Sequence, residues 1–376
     1  MALDWLPRQG GMKDHQIRTD EFFGTEPPCT TYELKPVVDA EGNPVKGLYT
    51  VWITLNNPDQ LNSYTTAMLK AVAAGFSRAS MDRSVVAVIL TGAGTRAFCT
   101  GGNTREYAEY YANKPTEYGS YIDIFWDMID TMLSCRKPTI CRVNGMRVAG
   151  GQEMGMACDF AVASDLAILG QAGPRHGSAA VGGATAFLPC YLGIEDTMWS
   201  VVMCEMWSAY KMKRLGLVSK VVPVLKQDGK FIRNPLVITD RYVEDGEIVY
   251  GEFVTGDEAK KARELIKTLP IDLSSLDKAI NDMVWTMTNL FQECVGMTVN
   301  SVRAFKRQLW DKEKNPVRYW LGSNMMAEAF LGFHAFNTRK ITGRDTIDFI
   351  KYRQMIAEGH AFDEELFEAV LGKPQQ

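Results

Sequence analysis

The run Val85-Val86-Ala87-Val88-Ile89-Leu90 is apolar at every position. As a strand it has no face to offer water, so both of its faces must be covered. Thr139-Ile140-Cys141-Arg142-Val143, Phe160-Ala161-Val162-Ala163 and Leu166-Ala167-Ile168-Leu169 continue this pattern of short strands further along the chain. Between them the apolar spacing becomes helical. Met68, Leu69, Val72 and Phe76 share one face of a helix predicted over Thr66 to Ser80, and Arg105 to Leu133 reads as mostly helical before Lys137-Pro138 breaks it. Short buried strands between helices predict an α/β core.

The remaining segments have different textures. Residues 1–36 mix charges, glycine and Pro27-Pro28 without periodicity, which predicts an irregular N-terminal extension on the surface or on a neighbouring subunit. Leu48-Tyr49-Thr50-Val51-Trp52-Ile53-Thr54-Leu55 is a strand stopped by Asn56-Asn57-Pro58-Asp59, and the core is expected to span residues 37–225. In residues 226–256 the turn pairs Asp228-Gly229 and Asp245-Gly246 predict an insertion of hairpins, and residues 257–376 read as a helical C-terminal region. A formal net charge of -4 leaves no basic field for nucleic acid. Eight cysteines form no CxxC pair, the start of the chain has no export signal and no apolar run is long enough for a membrane, so a cytoplasmic protein with reduced thiols is expected.

Two loops carry the chemistry: Ala97-Phe98-Cys99-Thr100-Gly101-Gly102-Asn103 and Asn144-Gly145-Met146-Arg147-Val148-Ala149-Gly150-Gly151-Gln152-Glu153. Each follows a short strand. A glycine after a strand lets the backbone turn with its N–H exposed, and two such groups converging on one oxygen stabilise a developing negative charge. Gly150 is predicted to open a helix, whose N-terminus adds unpaired amides and a positive dipole end. For an isolated Gly-Gly pair a tight turn without catalytic duty is the plainer reading; the second loop at Gly102 reverses that order. Glu153, one turn into the helix, is either a first-turn acid complementing the dipole or, if buried, a proton carrier for water addition. His176, in Gly173-Pro174-Arg175-His176-Gly177-Ser178, is either a hydrogen-bonded structural residue or a second proton carrier. Neither metal-ligand spacing nor a GxxxxGK or GxGxxG motif occurs, so no metal and no cofactor is expected.

The order Ile53-Thr54-Leu55-Asn56-Asn57-Pro58-Asp59-Gln60-Leu61-Asn62, then Ala97 to Gly102, Val143 to Glu153, Cys158-Asp159 and Gly216-Leu217-Val218-Ser219-Lys220-Val221-Val222 resembles the enoyl-CoA hydratase (crotonase) superfamily over residues 48–222. The resemblance implies a spiral of ββα turns, a C-terminal helical region used in assembly of a homotrimer or homohexamer, and an acyl-CoA thioester substrate. It implies that the Gly102 and Gly150 amides hold the thioester oxygen, that Glu153 is one of the two hydratase glutamates, and that Leu61, Thr100, Gly101, Gly151 and Tyr107 contact substrate. Where the second glutamate stands in hydratases this chain has Gly173, the frequent aspartate after the first oxyanion glycine is Asn103, and a lysine common before the Leu-Asn pair is Asp59. With its insertion and extended N-terminus the whole chain resembles a ring-opening branch of the superfamily, which implies a cyclic β-oxo acyl-CoA, two water additions, and His176 or Tyr107 as the second proton shuttle. The alternatives are a hydratase, lyase or isomerase acting on a linear enoyl-CoA, and a non-catalytic scaffold that binds acyl-CoA or RNA.

Overall fold

A computed structural model describes residues 20–373 of the chain. In chain order the core strands are β1 (Cys29–Val38), β2 (Pro44–Asn56), β3 (Val85–Gly92), β4 (Ala97–Cys99), β5 (Thr139–Val143), β6 (Met146–Val148), β7 (Phe160–Ser164), β8 (Ile168–Gly170), β9 (Trp207–Ser208) and β10 (Lys220–Val222). They form a six-stranded sheet of order β1-β2-β3-β5-β7-β10 and a four-stranded sheet of order β4-β6-β8-β9. The larger is parallel from β2 onward, and the smaller is parallel except for β8 with β9. The helices that position the site are α1 (Thr66–Met81), α2 (Thr104–Glu106), α3 (Pro115–Ser134), α4 (Gly150–Ala157) and α5 (Ala184–Phe187). Passes such as β3-β4-α2 and β5-β6-α4 place one strand in each sheet and then a helix, the ββα spiral that the resemblance implied.

β3 explains why its sequence is apolar throughout. Val88 and Leu90 join a core with α1 and α3, while Ala87 and Ile89 point the other way, into a second core with Leu276, Ile280 and Val284 of the helix Ser274–Thr288. The sheet is therefore covered on both faces. Helix α1 starts where the Thr65 side chain accepts the Met68 N–H, and it buries Met68, Leu69, Val72 and Phe76 as their spacing predicts.

The expected N-terminal extension needs correction. Residues 1–19 lie outside the described residues, but Cys29–Val38 is an ordered edge strand in antiparallel register with β2, from Cys29 opposite Asn56 to Pro36 opposite Tyr49. Pro36 and the charges around it hide the alternation; an edge strand tolerates proline, and the register shifts between Pro36 and Val38. The stretch from Arg105 to Leu133 is also not one helix: a π-helical turn, Tyr107–Tyr111, and Asn113 in a left-handed conformation separate α2 from α3. In residues 226–256 the strands Leu225–Gln227 and Lys230–Ile232 pair around Asp228-Gly229, and Val243–Glu244 and Glu247–Ile248 pair around Asp245-Gly246. All four turn residues have positive φ, as two-residue hairpin turns require. Buried Asp165 ties this segment down by accepting the Val224 and Asn234 N–H groups at 3.2 and 2.7 Å.

Beyond residue 256 the chain is mainly helical, and the helix Gln292–Asn324 is pinned to the core by cations. Arg303, 2% exposed, donates to both carboxylate oxygens of Asp159 at 2.6 Å and to the carbonyls of Cys135 and Lys137. Lys306 donates to the carbonyls of Met156 at 2.9 Å and Cys158 at 2.8 Å, capping the C-terminal end of α4. No helix among the described residues is long and apolar enough to cross a membrane. Removing one partner of a buried ion pair strands the other, so Arg303→Ala is expected to lower stability by about 3–5 kcal/mol, read from the shift of the urea unfolding curve.

Candidate active site

The two glycine loops are bound to a single carbonyl. Asn62 Nδ2 donates to Ala97 O at 2.7 Å and to Ala93 O at 2.9 Å, while Asn144 Nδ2 donates to Ala97 O at 2.9 Å and to Gly94 O at 2.7 Å. Asn62 Oδ1 accepts the Asn57 N–H at 3.0 Å, so the Asn-Asn-Pro-Asp-Gln-Leu-Asn turn, β4 and the Asn144-Gly145 turn share one polar junction. Asn57, Asn62, Ala97 and Asn144 are buried, where an unpaired amide or carbonyl would be costly.

From this junction β4 leads to Gly102 and β6 leads to Gly150. The backbone of Gly102 bridges to Tyr64 through Tyr64 N–H to Gly101 O at 3.0 Å and Asn103 N–H to Tyr64 O at 2.9 Å, which leaves the Gly102 N–H outside the bridge. Ala149, before α4, is held at φ 52°, a conformation that costs a residue with a Cβ on the order of 1–3 kcal/mol. The first intrahelical bond of α4 runs from Glu153 N–H to Ala149 O at 3.1 Å, so the Gly150 N–H is one of the free amides at the helix's positive end. Gly102 and Gly150 both line a cavity of about 680 Å³, a volume suited to a small-molecule ligand.

Glu153 lines the same cavity at 6% exposure, and its Oε1 accepts the Gly182 and Ala184 N–H groups at 2.9 and 3.4 Å. Burial, reinforced by Glu313, outweighs those bonds and raises its carboxyl to about 7. Such a group exchanges protons near neutral pH. His176, on the turn Gly173–His176, also reaches the cavity; its ring meets Phe336 edge-on at 5.0 Å, and its buried Nδ1 has no partner among the described residues. Burial, then Arg175, lowers its pKa, so it stands as a neutral imidazole. A Cβ on Gly173 would come within 2.9 Å of the Ala179 backbone, so this backbone has no room for the second hydratase glutamate.

Leu61, Thr100 and Tyr107 line the cavity, with Thr100 Oγ1 donating to Leu61 O at 3.4 Å. Gly101 and Gly151 are not among its lining residues. Gly101, at φ 99°, makes the turn and accepts the Tyr64 N–H; Gly151 is packed so closely on the Cys99 carbonyl that a Cβ would lie 2.2 Å from its oxygen. They shape the loops whose neighbours face the ligand. Sequence reasoning missed the cavity's aromatic wall of Tyr64, Tyr118, Tyr121, Phe125 and Trp126, and the donors Trp126 Nε1 and Gln171 Nε2, which have no partner among the described residues. The spacing of Tyr107, Tyr111, Tyr118 and Tyr121 carried a signal, since those positions recur on one helical face. Exposed Arg96, Arg105 and Lys340 stand at the cavity's rim. No group of three or more His, Cys, Asp or Glu side chains among the described residues is placed to hold a metal ion.

The model of the enoyl-CoA hydratase/isomerase family matches residues 49–282. The 6-oxocyclohex-1-ene-1-carbonyl-CoA hydrolase of Syntrophus aciditrophicus (strain SB) is 60% identical, covering 100% of this chain and 99% of its own length. The protein of the same name from Thauera aromatica is 51% identical, covering 92% of each. Among solved structures, an enoyl-CoA hydratase from Mycobacterium avium subsp. paratuberculosis K-10 shares the fold with a TM-score of 0.58 at 18% identity, covering 82% of this chain and 96% of that one.

Glu153 makes the site costly in a pH-dependent way. A carboxyl raised from 4.5 to about 7 by folding is harder to ionise in the native state, so the native state loses stability as the pH climbs through that interval. At about 1.4 kcal/mol per unit the loss is about 3 kcal/mol by pH ~8. Glu153→Gln is therefore expected to gain stability relative to the parent between pH ~5 and ~8, measured by urea unfolding at both, and a flat difference would refute the buried, high-pKa carboxyl.

Proposed function

The chain belongs to the enoyl-CoA hydratase/isomerase family, and on that footing we propose that it hydrolyses 6-oxocyclohex-1-ene-1-carbonyl-CoA, with two waters, to 3-hydroxypimeloyl-CoA. Full-length similarity to two proteins of that hydrolase name carries the reading. The site fits it, because one oxyanion pair can serve both halves of such a reaction. Water first adds across the ring double bond, and the charge that develops on the thioester oxygen falls to the Gly102 and Gly150 amides, each contributing about 3–4 kcal/mol to the transition state. A second water then attacks the ring ketone. The bond between the ketone carbon and the carbon bearing the thioester breaks, and its electron pair returns to the same thioester as an enolate. Protonation at carbon completes an open-chain carboxylic acid.

Glu153 takes the proton of each attacking water, and a carboxyl near pKa 7 can return it. His176, neutral and with Nδ1 unpaired among the described residues, is the second proton carrier in a site where Gly173 has no side chain. The rim cations Arg96, Arg105 and Lys340 suit the phosphates of CoA. The step belongs to anaerobic benzoyl-CoA breakdown. We place the enzyme in the cytoplasm, in keeping with eight free cysteines, as a homotrimer or homohexamer. The helix Ile194–Met203 supports assembly, since it leaves Ile194, Met198, Trp199, Val202 and Met203 at least half exposed.

Purified protein incubated with this thioester, without added metal or redox cofactor, is expected to give a product heavier by two waters in mass spectrometry. A product heavier by one water would identify a hydratase instead. With Glu153 acting as base, kcat/KM is expected to fall about tenfold per pH unit below pH ~7, because only the ionised carboxylate accepts a proton. Glu153→Gln is expected to remove that limb together with nearly all turnover.

A further inference from the structure

The two-water reaction generates negative charge in two places, and the glycine amides account for only one of them. When the second water adds to the ring ketone, the ketone oxygen becomes an alkoxide before the carbon–carbon bond breaks. In a β-oxo thioester the ketone carbon and the thioester carbon flank the same ring atom, so the two oxygens lie only a few bond lengths apart. A donor for the ketone oxygen must therefore stand directly beside the donors for the thioester.

Two phenols stand there. A Cβ on Gly150 would lie 1.9 Å from the Tyr64 hydroxyl oxygen, and one on Gly102 would lie 1.6 Å from that of Tyr107. Each hydroxyl thus lies against one of the two oxyanion glycines, at an approach that only a residue without a side chain permits, and both tyrosines line the cavity. Resting on the function proposed above, we propose that the hydroxyls of Tyr64 and Tyr107 form a second oxyanion site that holds the ring ketone oxygen while water attacks its carbon.

The two hydroxyls are held for this work. The Tyr107 hydroxyl is hydrogen-bonded to that of Tyr121, and its ring packs on Tyr118, 5.6 Å between centroids, and on Phe333 at 5.0 Å. Either hydroxyl of that pair can donate, and when Tyr121 donates the Tyr107 proton is free to point at a ligand. The Tyr64 ring lies 5.7 Å from Phe125, and its main chain is fixed to Gly101 and Asn103 in the loop that carries the Gly102 amide. Its hydroxyl bonds to no protein partner among the described residues, although the residue is only 4% exposed. Burial raises both phenols well above their ordinary pKa of 10, so they remain protonated donors throughout the neutral range. Donors fixed in advance at a developing charge cost no reorganisation during the reaction. In the step itself, water adds its oxygen to the ketone carbon and gives its proton to Glu153, and the alkoxide rests on the two phenols. Its collapse sends the carbon–carbon electron pair to the thioester enolate held by Gly102 and Gly150, and a proton returns to that carbon.

The test measures the ratio of one-water to two-water product formed from 6-oxocyclohex-1-ene-1-carbonyl-CoA by full-length Tyr64→Phe and Tyr107→Phe. Loss of one oxyanion donor slows its step by about 10²–10³, so the ratio is expected to rise about 100-fold or more over the parent enzyme, with the hydrated ring accumulating. The ratio is internal to each sample and does not depend on how much of a variant folds. An unchanged ratio in both variants would overturn the second oxyanion site, whatever the overall rate. Should a variant lose all turnover, its binding preference for 2-oxocyclohexane-1-carbonyl-CoA over cyclohexane-1-carbonyl-CoA is measured: loss of the parent's preference supports the site, and retention overturns it. A parent enzyme that yields no two-water product would instead remove the proposed function.

Discussion

Gly102 and Gly150 come from separate loops, and a shared hydrogen-bonded junction holds both loops at one cavity. Neither loop can be fixed by its own strand, because β4 and β6 are only three residues long. The Ala97 carbonyl takes hydrogen bonds from both Asn62 and Asn144 and so sets the spacing between the loops. From the other side, Lys306 caps the C-terminal end of the short helix whose first residue is Gly150. The C-terminal helical region thereby acts on the site at a distance, by immobilising the helix that presents the amide.

Inside its charged rim, the cavity these loops enclose is lined by buried groups that resist ionisation. Glu153 is buried and titrates near neutrality, His176 is held neutral, and Tyr64, Tyr107, Tyr118 and Tyr121 are all shifted upward by burial. A wall of neutral donors with one proton-active carboxylate suits chemistry in which charge is created and discharged on the substrate. Gly173 fits the same design, because the backbone around it leaves no space for a second acid.

Much of this was legible in the sequence, and the reasons differ by element. The buried strands and α1 declare themselves through periodicity, since each must match a particular pattern of burial. The hairpins around Asp228-Gly229 and Asp245-Gly246 are equally plain, because few other pairs accept positive φ at both positions. β1 is concealed by Pro36, which only its place at a sheet edge makes acceptable. Loop glycines identify a turn but not which of them faces a ligand: Gly101 and Gly151 serve packing, while Gly102 and Gly150 open on the cavity. The tyrosine wall needed three dimensions, because Tyr64 joins Tyr107 and Tyr121 only through tertiary contact.

The proposed chemistry depends on Gly102 and Gly150 holding one oxygen between them. Its most direct test is a crystal structure of the protein with a non-reacting cyclic acyl-CoA, in which the distances from the thioester oxygen to the two backbone nitrogens are measured. Both are expected to fall within about 3.2 Å, as hydrogen bonds require. A thioester oxygen bound by neither amide, or turned away from one of them, would contradict it.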